Sequence, residues 1–346
     1  MSILIQNGLL ADPANRIYEK KNILVVDGKI AAVTDESPAA DRNIDAAGRV
    51  VCPGFIDIHM HEDPVEDGRI ANCIFHSMLR MGVTTAVGGN CGDNVFEPVE
   101  YLALADRDGS PVNVALFAGH SFFRRQAGGL DKYAGITDEQ KKRMLEGLQR
   151  AVDGGCVGIS FGLRYVPGTD EDEFRAAARL CAPSGKLISA HVRDDAAYIF
   201  DAVREVTRVG RECGVPVQIS HIGSMGGFGQ MEQLLWQIDA ERESGLDVAC
   251  DCYPYTAFST GIGETTYDEG WLERYHCDYS ACVPAEGRYK GVPCTRETFE
   301  ELRREEPDCI TVCYVMQEDD VRLALKHPHV MLGSDGFIDK GQGHPR

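Results

Sequence analysis

The chain has 346 residues, 43% of them hydrophobic, a composition typical of a globular protein with one large domain and a small second module. Its formal net charge of -19 disfavours binding to nucleic acid and to anionic membranes, so we expect neither partner. The 13 cysteines are scattered, and the sequence contains neither a signal peptide nor an apolar run of roughly 20 residues. We therefore expect a cytoplasmic protein with reduced thiols.

Residues 1–50 contain short β-prone runs at Ile3–Ile5, Asn22–Val26 and Lys29–Val33, separated by turn signals such as Asp27-Gly28. This pattern predicts a small β-sheet module over residues 1–50. After Val51-Cys52-Pro53-Gly54 the pattern changes, and short apolar runs alternate with amphipathic helical stretches. That alternation is typical of parallel β/α architecture.

Eight strand candidates follow in chain order. They are Phe55–His61, Val83–Asn90, Asn113–His120, Val157–Leu163, Leu187–Arg193, Pro216–Ile222, Asp247–Tyr255 and Val330–Gly336. Helices are predicted between them, for example over Asp138–Val152 and Ala196–Cys213. The long gap before the eighth candidate predicts an extra strand at Cys309–Val315 and a helix at Glu318–Lys326. Eight β units favour a closed (β/α)8 TIM-like barrel over residues 51–346 rather than an open doubly wound sheet.

Residues that can bind a metal or move a proton stand at the ends of several strand candidates. They are His59, His61, Cys91, His191, His221 and Asp335. Because the carboxyl ends of barrel strands meet at one face, we expect these six side chains to converge there. A single histidine at a strand end is more often structural, but a coincidence is much less plausible for the whole set.

The spacing of His59 and His61 places both imidazoles on one side of a strand, where they can share a metal. Cys91 lies in a glycine-flanked turn, where little side-chain bulk blocks close approach to its thiol. Nitrogen and thiolate ligands suit zinc, and a site with an open position activates water near neutral pH. His120 stands at the end of the third strand candidate. The sequence does not decide whether it lines the site or packs in the core. The other twelve cysteines are interpreted as buried apolar residues.

Seven segments distributed over nearly the whole chain together resemble one known family. The segments are PGFIDIHMHEDP, GNCG, GISFGLRYVPG, AHVRDD, ISHI, DCYPYTAFSTG and HPHVMLGSDG. In this order they resemble the N-acyl-D-amino-acid deacylases (D-aminoacylases) of the metal-dependent amidohydrolase superfamily. The histidine pair is common in that superfamily. A cysteine after the second strand, in place of a carboxylated lysine after the fourth, is much more specific to this family.

The resemblance implies that the protein hydrolyses the amide bond of N-acyl-D-amino acids with metal-activated water. The products would be a carboxylate and a free D-amino acid. The resemblance further implies a tight zinc site formed by Cys91, His191 and His221. A second, weaker metal position near His59 and His61 would share Cys91. Asp335 would be the general acid/base that passes a proton from water to the leaving amine.

The resemblance also implies a substrate site, in which Tyr253, Ser259 and Arg346 hold the carboxylate and Tyr165 lines the pocket. From the residues alone, Arg346 fits an exposed chain end, and Tyr165 fits packing at the barrel rim equally well. The family often has a lysine two residues after the strand-six histidine, where this chain has Gly223. The absence of this lysine leaves the substrate side chain open. The acyl group and the oligomeric state are also left open.

Two other functions are compatible with these motifs. One is a related amidohydrolase acting on a cyclic amide, a urea-like bond or a dipeptide, and the other is an inactive fragment or metal-binding scaffold. The sequence stops just past the eighth strand candidate, whereas the family continues with a final helix and with strands that complete a composite β-sandwich. We therefore expect a chain truncated after strand eight that is weakly active or inactive on its own and prone to associate.

Overall fold

A two-residue turn at Asp27-Gly28 joins the strands Asn22–Val26 and Lys29–Thr34 into an antiparallel hairpin. Both turn residues have positive φ, 46° and 77°, as a type I′ turn requires, and the Asp-Gly pair suits that geometry. The computed structural model describes residues 1–339 and 342–343, so Arg346 lies outside the described residues. The chain divides into two compact units, Met1–Phe55 and the part that begins at Ile56.

The first unit consists of two small sheets. In sheet order, the strands are Lys29–Thr34, Asn22–Val26, Ser2–Gln6 and Arg42–Asp45 in one sheet, and Ile17–Lys20, Leu9–Asp12 and Val50–Val51 in the other. Leu4, Leu10 and Ile23 are buried inside this unit. Two small sheets thus lie where the sequence predicts a small sheet module, and four of their strands were not predicted individually.

All eight predicted strands of the second region are present as a series that we call strands one to eight. They are Phe55–Asp57, Val83–Gly88, Asn113–Leu116 (continued by Ala118–Gly119), Gly158–Gly162, Leu187–His191, Val217–Ile219, Val248–Cys252 and Val330–Leu332. Each is shorter than predicted. Cys91, His221 and Asp335, which follow strands two, six and eight within three residues, adopt a left-handed backbone conformation.

Each strand of the series lies beside the preceding one, and the recorded pairings between them are parallel. Strands one to three form one sheet, and the continuation of strand three with strands four to eight forms another. Met60 and Gly336, which follow strands one and eight, form a parallel bridge. The N–H of His61 donates to the carbonyl of Gly336 at 2.9 Å. The carboxyl ends of the first and last strands therefore meet, and the whole region is an α/β fold.

Helices lie between the strands, as the alternating pattern predicts. The α-helices are Cys73–Arg80, Pro98–Asp108, His120–Gln126, Asp138–Asp153, Glu171–Ala178, Ile199–Cys213, Ile222–Gly226, Met231–Glu243, Trp271–Tyr275, Arg296–Glu305 and Glu318–Lys326; the 3₁₀ helices are Arg179–Ser184, Ala196–Tyr198, Thr265–Tyr267 and Tyr279–Ala281. In the helix Asp138–Asp153, Met144, Leu148 and Ala151 are buried. None of the helices in the described part of the chain has the length and apolar character that a bilayer crossing requires.

Between strands seven and eight lies a small antiparallel sheet in the order Phe258–Gly261, Ile310–Cys313 and Cys282–Pro284. The predicted extra strand and the helix Glu318–Lys326 are both present. Two-stranded pairs also occur, namely Val65–Glu66 with Arg69–Ile70 and Ile338–Asp339 with Gln342–Gly343. The interpretation of twelve cysteines as buried residues is wrong for Cys52 and Cys73, which are exposed, and Cys213 and Cys277 are only half-buried.

Candidate metal centre

The thiol of Cys91 is surrounded by three imidazole rings at the carboxyl ends of the parallel strands. Its Sγ lies 3.4 Å from Nε2 of His221, 3.5 Å from Nε2 of His59 and 3.8 Å from Nδ1 of His191. All four side chains are buried. Strands one, two, five and six therefore bring a sulfur and three nitrogen atoms together from positions far apart in the sequence.

Asp335 lies against the same cluster from the end of strand eight. Its Oδ1 is 3.2 Å from Nε2 of His61 and 3.5 Å from Nε2 of His59. Three groups of potential ligand atoms lie within 4.8 Å of one another: His59, His61 and Cys91; Cys91, His191 and His221; and His59, His221 and Asp335. The structure thus brings all six predicted residues to one place, and Cys91 is shared by two of the groups.

Backbone geometry aims three of these side chains into the centre. Cys91, His221 and Asp335 have φ values of 54°, 32° and 49°, in the left-handed region that residues other than glycine rarely adopt. Such conformations carry a cost in free energy and concentrate at functional sites. In each of these three cases, the backbone turns sharply just after the strand, at the residue that faces the centre. The sequence analysis did not predict this feature.

In His59 and His221, the ring nitrogen that faces away from Cys91 is held by another group. Nδ1 of His59 lies 3.0 Å from Oδ1 of the buried Asp251, and Nδ1 of His221 lies 3.1 Å from the hydroxyl of Ser224. Partners of this kind fix the orientation and tautomer of metal-binding histidines. The sequence analysis missed Asp251 and Ser224; the signal for Asp251 was an acidic residue inside an otherwise apolar strand.

The electrostatic environment suits the binding of a metal ion. Although burial disfavours the thiolate, the nearby rings of His59 and His221 lower the pKa of Cys91 well below its ordinary value. Burial, together with His221, lowers the pKa of His191 to about 4, so its ring is neutral at neutral pH. Nε2 of His191 is buried and has no hydrogen-bond partner among residues 1–339. Thiolate and imidazole groups are the ligands that zinc prefers, so the residue types of this cluster fit zinc.

A cavity of about 560 Å³ opens onto the centre, and its lining includes His61, Cys91, His221 and Asp335. Three of the four residues predicted to contact substrate lie at this cavity or at a smaller one behind it. Tyr165 and Ser259 line both cavities, and Tyr253 lines the smaller one. The Tyr165 ring lies 4.5 Å from the ring of His191, measured between centroids. The fourth residue, Arg346, lies outside the described part of the chain.

Two further positions from the sequence analysis are explained by packing. Nε2 of His120 lies 2.9 Å from Oε1 of Glu173, and its ring packs on Phe161. His120 does not border either cavity within the described residues, so it is a packing residue. At Gly223, a Cβ atom would lie 2.7 Å from Sγ of Cys252. A longer side chain at this position would require its neighbours to move.

Curated relatives of this chain include two proteins from Alcaligenes xylosoxydans xylosoxydans. An N-acyl-D-glutamate deacylase is 28% identical over 100% of this chain and 76% of its own length. A D-aminoacylase is 31% identical over 99% of this chain and 76% of its own length. Both matches therefore extend over nearly all of this sequence, including every residue of the metal centre.

Among solved structures, one neighbour is an N-acyl-D-glutamate deacylase from Bordetella bronchiseptica, complexed with zinc and a phosphonate inhibitor that mimics the tetrahedral intermediate. It is 28% identical, covers 99% of this chain and 77% of that chain, and has a TM-score of 0.85. No family model matches the sequence. The identity of 31% to D-aminoacylase over nearly the full chain shows that this protein belongs to the D-aminoacylase family.

Proposed function

We propose that the chain is a zinc-dependent hydrolase that cleaves the amide bond of N-acyl-D-amino acids, giving a carboxylate and a free D-amino acid. The observation that carries this proposal is the convergence of Cys91, His191, His221 and Asp335 from four strand ends. The cavity beside them leaves room for a small-molecule substrate. The relatives that span this chain have deacylase and aminoacylase names, in agreement with this chemistry.

We infer that the parallel series closes into a (β/α)8 barrel over residues 51–346, with residues 1–50 as a separate sheet module. The bridge between Met60 and Gly336 supports closure, because it joins the segments that follow the first and the eighth strand. The hydrogen bond from the N–H of Asp335 to the carbonyl of His59, at 2.7 Å, lies at the same junction. Closure would keep the ligand-bearing ends of strands one and eight together.

Two overlapping metal positions are proposed. Cys91, His191 and His221 would hold the tight zinc, and His59 and His61 would share Cys91 at a weaker position. When bound, zinc supplies a Lewis acid that polarises the acyl carbonyl and lowers the pKa of water. The atoms of each group already lie close together, so little rearrangement of the protein is required.

Asp335 is the proposed general acid/base. Its carboxylate borders the cavity beside His59 and His61, where it can accept a proton from the attacking water and deliver it to the leaving amine nitrogen. Tyr165, Tyr253 and Ser259 are proposed to orient the substrate. Arg346 is proposed as a further carboxylate ligand on the family resemblance alone.

The variants Cys91→Ala and Asp335→Asn test this assignment. We expect Cys91→Ala to lose the tight metal and activity, because the thiolate belongs to two ligand groups. Asp335→Asn should keep the metal and lose activity by on the order of a hundredfold or more, since general acid–base catalysis contributes that much. Metal content and deacylation rates are the measurements, with Cys156→Ala and Asp319→Asn as controls at a buried and an exposed position away from the site. Normal activity in both site variants would contradict the proposal.

A substrate panel separates this function from its alternatives. N-acetyl-D-amino acids, the L enantiomers, hydantoins and D-dipeptides should be offered to the zinc-loaded chain. We expect turnover of the N-acetyl-D-amino acids. Preferential turnover of hydantoins or dipeptides would instead indicate the related amidohydrolase chemistry.

A further inference from the structure

The turn that carries Cys91, residues 89–95, is held in a conformation that a free chain would not favour. Cys91 has a φ of 54°, and Gly89 and Gly92 have φ values of 72° and 81°. The turn also lies directly on neighbouring backbone, since a Cβ at Gly89 would lie 2.3 Å from the carbonyl oxygen of Phe117. Something in the fold must therefore stabilise this arrangement and fix where the Cys91 thiol points.

Glu62, the residue after the histidine pair, supplies much of that stabilisation. Its side chain is 3% exposed, and its carboxylate accepts three hydrogen bonds from the turn. Oε2 accepts from the N–H of Gly89 at 2.7 Å, and Oε1 accepts from the N–H of Val95 at 3.2 Å and from Nδ2 of Asn94 at 3.1 Å. The carboxylate thus joins both ends of the turn on either side of Cys91.

Ser160, in strand four, holds the same turn from the other side. Its hydroxyl accepts from the N–H of Gly92 at 3.0 Å and donates to the carbonyl of Gly89. Both Glu62 and Ser160 therefore contact the residues that flank Cys91, while neither side chain belongs to the groups of potential ligands found in the described residues.

We propose that Glu62 is a positioning residue, whose carboxylate sets the affinity and geometry of the metal site by holding the Cys91 thiol in place. This inference rests on the proposed function, because it assumes that Cys91 binds the metal. Removing groups that orient metal ligands costs about ten- to a hundredfold in metal affinity. Glu62→Gln places an amide NH2 group among hydrogen-bond donors, so we expect a loss of that size in zinc affinity.

The adjacent Asp63 provides a matched control. It is 0% exposed, and its carboxylate also accepts hydrogen bonds from three backbone N–H groups, those of Cys73, Ile74 and Phe75. Those N–H groups belong to the start of the helix Cys73–Arg80 and not to the Cys91 turn. Asp63→Asn should therefore lower the melting temperature without changing how the thiol binds metal.

The experiment measures the zinc dissociation constant of the full chain by competition with a chelator. It also records the thiolate-to-cobalt charge-transfer absorption after cobalt substitution. We expect Glu62→Gln to weaken zinc binding about ten- to a hundredfold and to shift or reduce that absorption. Asp63→Asn should leave both unchanged. Ser160→Ala, which removes the second support of the turn, should act in the same direction as Glu62→Gln.

Unchanged zinc affinity and absorption in Glu62→Gln would overturn the inference, as would an equal loss in Asp63→Asn. If Glu62→Gln does not fold, Ser160→Ala is the deciding variant. Unchanged zinc affinity and absorption in Ser160→Ala would then contradict the inference that side-chain contacts with the turn position Cys91. A wild-type chain that binds zinc but deacylates none of the substrates would contradict only the proposed function. The inference about Glu62 and the proposed function can therefore be contradicted by different results.

Discussion

Oδ1 of Asp251 lies 3.0 Å from Nδ1 of His59, on the side of the imidazole that faces away from Cys91. The same carboxylate accepts from the backbone N–H of His221 and from Nε2 of Gln218, both at 2.8 Å. One buried acidic side chain therefore fixes the ring of one proposed metal ligand and the backbone of another.

Replacing this carboxylate should disturb both ligands. In Asp251→Asn one oxygen becomes an NH2 group that must face a donor, so we expect zinc affinity and deacylation rate to fall about ten- to a hundredfold. Asp247→Asn, at an exposed position just before strand seven, is the control and should behave like wild type. Equal behaviour of the two variants would show that His59 and His221 do not depend on Asp251.

The two metal positions should respond differently to loss of a ligand. We expect His191→Ala to abolish binding of the tight zinc, because His191 belongs only to the group with Cys91 and His221. His59→Ala should retain that zinc and more of the activity, since the proposal places His59 at the weaker position. Metal content after dialysis, together with deacylation rates, tests this. If both variants lose all zinc, the centre is one cooperative binuclear site.

Ser259 should contribute to substrate binding. Its hydroxyl is buried and has no hydrogen-bond partner within residues 1–339, yet the residue lines both cavities beside the metal centre. A hydrogen bond to a charged group contributes about 1.5–3 kcal/mol, so Ser259→Ala should lower kcat/KM by roughly ten- to a hundredfold. The exposed Ser280→Ala is the control. An unchanged kcat/KM would place the substrate away from Ser259.

Asp195 should make stability depend on pH. Burial raises its pKa to about 6 from 3.8, although Arg164 and the hydroxyl of Tyr275 oppose that shift. The folded chain therefore keeps a proton that the unfolded chain releases between these values. The contribution of Asp195 to the free energy of unfolding is fully present below pH 3.8 and is lost as the pH rises through about 6.

The variant Asp195→Asn removes this titration. Relative to the variant, wild type should lose about 3 kcal/mol of stability as the pH rises across that window, since one pKa unit corresponds to about 1.4 kcal/mol. Urea unfolding of both metal-free proteins at several pH values measures the difference. Asp194→Asn, whose side chain is 40% exposed, is the control. A difference that does not change with pH would rule out this titration.

Local patterns in the sequence determined the order of the elements and pointed to the residues of the candidate metal centre. The apolar runs predicted eight strands, and the period of Asp138–Asp153 predicted its helix, because each pattern depends on neighbours within a few residues. The position of polar residues at the strand ends predicted a convergence that the structure shows, of His59, His61, Cys91, His191, His221 and Asp335. The barrel and the roles of these residues remain predictions.

Only the tertiary structure decided what holds that centre in place. Asp251 is 192 residues from His59 in the sequence, and Glu62 is 27 residues from Gly89, so no local pattern pairs them. The left-handed turns at Cys91, His221 and Asp335 were likewise not predictable, because only a few per cent of residues other than glycine adopt positive φ. Packing and hydrogen bonds from distant segments stabilise those turns, and such contacts exist only after the strands have come together.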